Sequence, residues 1–154
     1  MRRTAVTLAL SATVAVGVGL AVPSTASATT PPIRIVKIQY DSPGSDTGSN
    51  SSLNAEYVVL KNTTSTNRSL TGWTLRDKQG YTYRFPTFTL KAGASVTIHT
   101  GKGSATASHR YYNRSWYVWN NTGDTAYLRD SKGVLRDSWA FKDASAAAYY
   151  VTRR

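Results

Sequence analysis

The chain holds 154 residues, with 19 Lys and Arg against 8 Asp and Glu, a formal charge of +11 and no cysteine. Disulfide scaffolds, thiolate zinc sites and cysteine nucleophiles are thereby excluded, and the shortage of carboxylates disfavours a metal centre or acid/base pair while the cations suit an anionic partner. Ten Tyr, four Trp and three Phe in so short a chain point to β structure or a stacking surface.

At the start, Arg2 and Arg3 precede an apolar stretch from Ala5 to Val22, followed by Pro23 and the small residues Ser24 to Ala28. These are the three regions of a secretory signal peptide spanning residues 1–28, with cleavage expected after Ala28. A membrane anchor is the competing reading, but Thr7, Ser11, Thr13, Gly17 and Gly19 interrupt the stretch. Thr4-Ala5-Val6 lacks the usual continuation of a twin-arginine signal, which favours the general export route. Removing 28 of 154 residues leaves 126, with 17 basic and 8 acidic side chains and a net charge of +9. The expectation is a secreted, extracellular protein, monomeric and without a membrane span after cleavage. Lacking disulfides, it must rely on its core and its sheet hydrogen bonds.

Thr29 to Pro32 reads as a short tail, since paired prolines donate no ladder hydrogen bonds. Seven β-branched and aromatic segments follow: Ile33 to Tyr40, Glu56 to Asn62, Trp73 to Asp77, Tyr81 to Phe85, Ala94 to Thr100, Thr125 to Asp130, and Val134 to Phe141. Turn-forming residues separate them, among them Lys78-Gln79-Gly80, Lys91-Ala92-Gly93 and Asp130-Ser131-Lys132-Gly133. Only Ala144 to Ala148 has helical propensity, and residues 144–154 read as a C-terminal tail. The pattern predicts one all-β domain over residues 33–143, a sandwich of about seven strands.

Alternation assigns the faces. Val96 and Ile98, Tyr81, Tyr83 and Phe85, Trp73 and Leu75, Ala126 and Leu128, and Leu135 and Trp139 point inward. Their neighbours Arg76, Arg84, Arg129 and Arg136 fall on outward faces, as candidates for a basic binding surface.

Four ordered blocks carry a resemblance: NAEYVVLKN from Asn54, LTGWTLRD from Leu70, LKAGASVTI from Leu90 and WNNTGDTAYLRD from Trp119. Over Ile33 to Phe141 the chain resembles the lamin-tail domain in its bacterial secreted form. The resemblance implies an immunoglobulin-like β-sandwich and an interaction module without a catalytic centre. In lamins such modules bind proteins and have been linked to DNA; in bacteria they often accompany exported hydrolases or nucleases. On physical grounds alone, Gly72 and Gly93 suit tight turns into the strands that follow, and Asp124 suits a loop carboxylate that accepts amide hydrogens.

His99, outward on a strand, and His109, in a polar stretch, sit in no metal motif and read as surface histidines; no GxSxG or HExxH exists. Glu56 is the one Glu, which argues against paired-carboxylate chemistry. The loop from Asp41 to Asn50 offers Asp41, Asp46 and Asn50, hard oxygen donors of the kind calcium takes, although the same composition is ordinary turn chemistry. No other cofactor is expected. From His109 to Trp119 cations and rings interleave: Arg110, Tyr111, Arg114, Tyr117 and Trp119 are the binding candidates there, while Tyr112, Trp116 and Val118 are expected to pack inward. The functional expectation is a non-enzymatic module holding an anionic polymer, either nucleic acid or a cell-envelope polymer. The alternative is a protein-interaction module docking an exported hydrolase or another extracellular protein.

Overall fold

The computed structural model describes residues 30–142 and 150–153. The expected leader and the helix-prone Ala144 to Ala148 lie outside the described residues. Twelve elements run in chain order: β1 (Ile33–Gln39), α1 (Asn50–Ala55), β2 (Tyr57–Asn62), β3 (Arg68–Ser69), β4 (Thr74–Arg76), β5 (Thr82–Arg84), β6 (Thr89–Leu90), β7 (Ser95–His99), β8 (His109–Tyr111), β9 (Gly123–Arg129), β10 (Leu135–Lys142) and β11 (Tyr150–Thr152). All seven predicted strands are present. One sheet has the order β11-β1-β2-β7-β8, the other β10-β9-β4-β5, and β3-β6 forms a two-stranded flap. The expected β-sandwich is thus observed, and no described helix is long and apolar enough to cross a membrane.

The core is built by alternation. Val58 and Leu60 on β2 and Val96 and Ile98 on β7 face Leu75, Ala126 and Leu128 of the other sheet, all fully buried. Each Val, Leu and Ile among them contributes about 1.5–3 kcal/mol by leaving water. Trp73 and Trp139 are half-buried and pack on this cluster, as their inward assignment requires. Two bulges re-phase the alternation. Between Ile35 and Lys37 a bulge lets Ile35 and Ile38, three residues apart, both enter the core. Between Leu135 and Asp137 another reverses the register, so Leu135 is 45% exposed and not inward as alternation predicts. Tyr81, also expected inside, lies outside β5 and is exposed.

Four strands and a helix are additional. α1 is N-capped by Ser49, whose Oγ accepts the Ser52 amide, and it buries Leu53. The predicted C-terminal tail is partly sheet: Tyr150 to Thr152 pair with Gln39 to Lys37. The Arg153 amide then donates to the Val36 carbonyl left free by the bulge, and its guanidinium pairs with Asp137. Gly72, with φ +77°, turns the chain into β4, a conformation that disfavours any other residue.

Candidate functional site

Hydrogen-bonded neighbours on adjacent strands share a face of the sheet. Pairing β5 to β4 to β9 aligns Arg84, Thr74 and Arg129 in one row, and the next row on that face reads Thr82, Arg76, Tyr127 and, on β10, Ser138. The row between them, Tyr83, Leu75, Leu128 and Asp137, faces the interior. Three predicted arginines, Arg76, Arg84 and Arg129, therefore stand on the outer face of the four-stranded sheet around Tyr127. With strands about 5 Å apart and alternate residues about 7 Å apart along a strand, they span a patch roughly 10 Å wide. Neither row contains a carboxylate.

Among the described residues no carboxylate forms an ion pair with the guanidinium groups there. Arg84 donates to the Gly72 carbonyl at 2.9 Å and Arg129 to the Gly133 carbonyl at 3.1 Å, which orients each side chain without neutralising it. Arg136 differs: it pairs with Asp130 at 2.6 Å, which ties it to its own turn rather than to the arginine patch. Four aspartates of the sandwich are engaged by its own backbone amides. Asp77 accepts the Gly80 and Tyr81 amides, Asp124 those of Lys78 and Thr125, Asp130 those of Lys132 and Val134, and Asp137 that of Ile35. Carboxylates that serve as turn and sheet acceptors are thereby kept out of the two arginine rows. Burial raises the Asp77 carboxyl, against the Gly80 and Tyr81 amides that favour its charge, and nearby Asp124 adds to the rise.

Next to this face, Arg84, Arg110, Tyr111 and Asn113 line a cleft of about 340 Å³. Arg110 opposes buried Ile98 across the β7 and β8 ladder, so its side chain turns toward the gap between the sheets. Its guanidinium lies 4.2 Å from the centre of the Phe88 ring and donates to the Thr106 carbonyl. Arg114 lies equally close over Tyr81. Both are half-buried and cap apolar rings with a charge at the surface.

The aromatic segment from Tyr111 to Trp119 departs from its sequence reading. Trp119, a predicted binding residue, is only 2% exposed and belongs to the core, meeting Tyr112 edge-on. Trp116, expected inside, is 62% exposed. Asn113, with φ +59°, falls in the left-handed region and breaks the alternation on which that reading relied. Tyr111 stacks on His99, with ring centres 5.1 Å apart, and the Gly103 backbone packs against its ring, so it is a poor platform for a base. Tyr117 is held through its hydroxyl, 2.5 Å from that of Ser52.

Beneath this segment sits Glu56, fully buried. Its Oε1 accepts the Thr100 hydroxyl at 2.5 Å and the Val118 amide at 2.8 Å, and so joins the end of β7 to the segment entering β9. Desolvation pushes its carboxyl up to about 8, although Thr100 and the Val118 and Trp119 amides favour the charge. Glu56 thus holds the fold together in its neutral form.

Of the predicted calcium donors, Asp41 and Asp46 meet at one side-chain amide and Asn50 turns away from them. Asp41 and Asp46 both accept the Asn121 side-chain amide, at 3.0 and 3.3 Å, whereas both ends of the Asn50 amide bind the Lys102 backbone. Asn50 opens α1 and points to the loop after β7, so the sequence run splits into two separate contacts. Half-exposed Tyr127 is a feature to which the sequence reading assigned no role; its outward phase on the strand that carries Arg129 was the available signal.

A family model described as Lamin Tail Domain matches residues 26–143 of the chain. No curated protein matches it.

Proposed function

The chain belongs to the lamin-tail domain family, and from that membership we propose that it is an exported, non-catalytic module that captures an anionic polymer, nucleic acid or a phosphate-bearing envelope polymer, on its arginine face. The observation that carries this reading is the placement of Arg76, Arg84 and Arg129 around Tyr127 in rows without a carboxylate. The guanidinium groups give electrostatic capture, and the half-exposed Tyr127 ring among them supplies a stacking surface. The leader sequence supports export.

The test is titration of the purified protein with a DNA oligonucleotide and with a polyol-phosphate polymer at several salt concentrations. Affinity is expected to fall steeply with salt, and Arg84→Gln to lower the log–log slope by about 1 if it meets one phosphate. Arg136→Gln, which removes a cation already paired, changes the slope little. Absence of binding at low salt, or a slope indifferent to Arg84, would sink the reading. A second reading rests on Val134 and Leu135, exposed at 49% and 45% where β10 begins. They suit a protein partner, whose hold would persist at high salt.

A further inference from the structure

The two sheets are tied together along one side of the sandwich and stand apart along the other. On the tied side β1 meets β10, where Asp137 accepts the Ile35 amide and pairs with Arg153. β8 and β5 end their sheets on the opposite side, and a cleft of about 340 Å³ opens between them. Arg84 enters it from β5 and Arg110 from β8, and no carboxylate lines it. Both arginines are held in the same way. Arg84 Nη1 donates to the Gly72 carbonyl at 2.9 Å, and Arg110 Nη1 to the Thr106 and His109 carbonyls. Among the described residues neither guanidinium has an ion-pair partner, and in both the edge formed by Nε and Nη2 meets no acceptor. That edge presents two parallel N–H donors, the fork that a carboxylate or phosphate accepts bidentately. The Phe88 ring lies against the Arg110 guanidinium and fixes its plane. Burial raises the Tyr83 phenol and the Arg110 charge opposes that rise, so the cation stands near a third donor of the same lining.

We propose that this cleft holds a phosphomonoester, the phosphate end of an anionic chain. Charge selects that group. Two cations facing one cleft are matched by a dianion, and a phosphomonoester carries about −1.5 to −2 at neutral pH, whereas each internal diester carries a single negative charge. Shape selects it as well. Three terminal oxygens accept from forks on two sides at once, while an internal diester offers two and continues the chain in both directions. The cleft volume of about 340 Å³ is at the small end of ligand sites, which suits the phosphate and the one residue that bears it. The inference rests on the capture reading, since Arg84 belongs to both surfaces: the arginine face holds the chain and the cleft holds its end.

The first measurement needs no polymer. The isotope-labelled protein is titrated with thymidine monophosphate and, separately, with thymidine, and its amide resonances are followed by NMR. Saturable shifts at Arg84, Arg110 and Asn113 are expected with the monophosphate and none with thymidine. Ala105→Trp, at an exposed position of the lining, fills the cleft with both arginines in place and is expected to abolish them. The second measurement takes a DNA oligonucleotide and a polyol-phosphate polymer, each with its terminal phosphate and again after phosphatase treatment. At least one is expected to bind about 10-fold more tightly with its phosphate, which identifies the source. Arg110→Gln is expected to erase that preference, whereas Arg129→Gln weakens both forms alike. Should Arg110→Gln melt below the parent, Arg110→Lys, which keeps the charge and loses the fork, takes its place. Absence of all polymer binding at low salt refutes the capture reading and leaves the monophosphate shifts to decide the cleft. No saturable shift with the monophosphate, shifts that survive Ala105→Trp, or, on a polymer that does bind, a phosphorylated end held no tighter than a bare one would overturn the proposal.

Discussion

Glu56→Gln tests whether a neutral acid holds the core. The free carboxyl of an unfolded chain titrates near 4.5, while that of Glu56 is raised by burial to about 8. Between these values the unfolded chain has released a proton that the folded chain keeps, so the stabilisation is complete below pH 4.5 and is lost as pH rises to about 8. Each pH unit in that window costs about 1.4 kcal/mol, so the Glu56 contribution falls by roughly 5 kcal/mol across it. In the Gln variant this slope is absent. The Gln carbonyl takes over the Oε1 bonds to Thr100 and Val118, but its amide replaces Oε2, which has no hydrogen-bond partner among the described residues. That substitution costs about 1–3 kcal/mol at every pH. The two stability curves are therefore expected to cross between about pH 5 and 7, with the variant the more stable at pH 8. Urea unfolding followed by tryptophan fluorescence at pH 5, 6, 7 and 8 measures both. Burial lowers the His99 imidazole, a trend of opposite sign that both proteins share, so the difference between the curves isolates Glu56. Parallel curves across the window would refute the reasoning.

Two further substitutions probe the supports of the sandwich. Buried Asn62 donates to the Thr66, Leu90 and Lys91 carbonyls and accepts the Thr64 amide and hydroxyl; Asn62→Ala strands several of these groups and is expected to cost about 3 kcal/mol in thermal or urea unfolding. A loss within about 0.5 kcal/mol would mean that water replaces the side chain. Arg153→Ala leaves the buried Asp137 carboxylate with the Ile35 and Ser138 amides alone. A loss of about 2 kcal/mol is expected, with faster hydrogen exchange at the amide of Ile38, which lies opposite Val151 and faces β11; exchange unchanged there would show that β11 holds without its terminal arginine.

How much of this was legible in advance follows from the range of each interaction. Alternation within a strand is set by the pleat of the strand itself, so all seven long strands, the inward placement of Val96, Ile98, Ala126 and Leu128, and the outward placement of Arg76 and Arg84 could be read from local sequence. The turn glycines and the ordered family blocks were equally local. Where a bulge intervened, the same rule failed: nothing in Leu135-Arg136-Asp137 announces that Asp137 turns inward to accept the Ile35 amide from the opposite sheet. Trp116 and Trp119 exchanged roles for a related reason, because a left-handed Asn113 and the buried Glu56 anchor, not strand periodicity, set that segment's direction.

The amino-acid sequence by itself determined a β-sandwich of lamin-tail type with a cationic exterior, since hydrophobic period, turn chemistry and charge balance each act over a few residues. Only the tertiary structure decided which cations share a face, that the last strand comes from the far end of the chain, and that two histidines ten residues apart meet at 2.9 Å. Those outcomes depend on strand order and register, which are fixed by burial across both sheets at once, and no short stretch of sequence contains that sum.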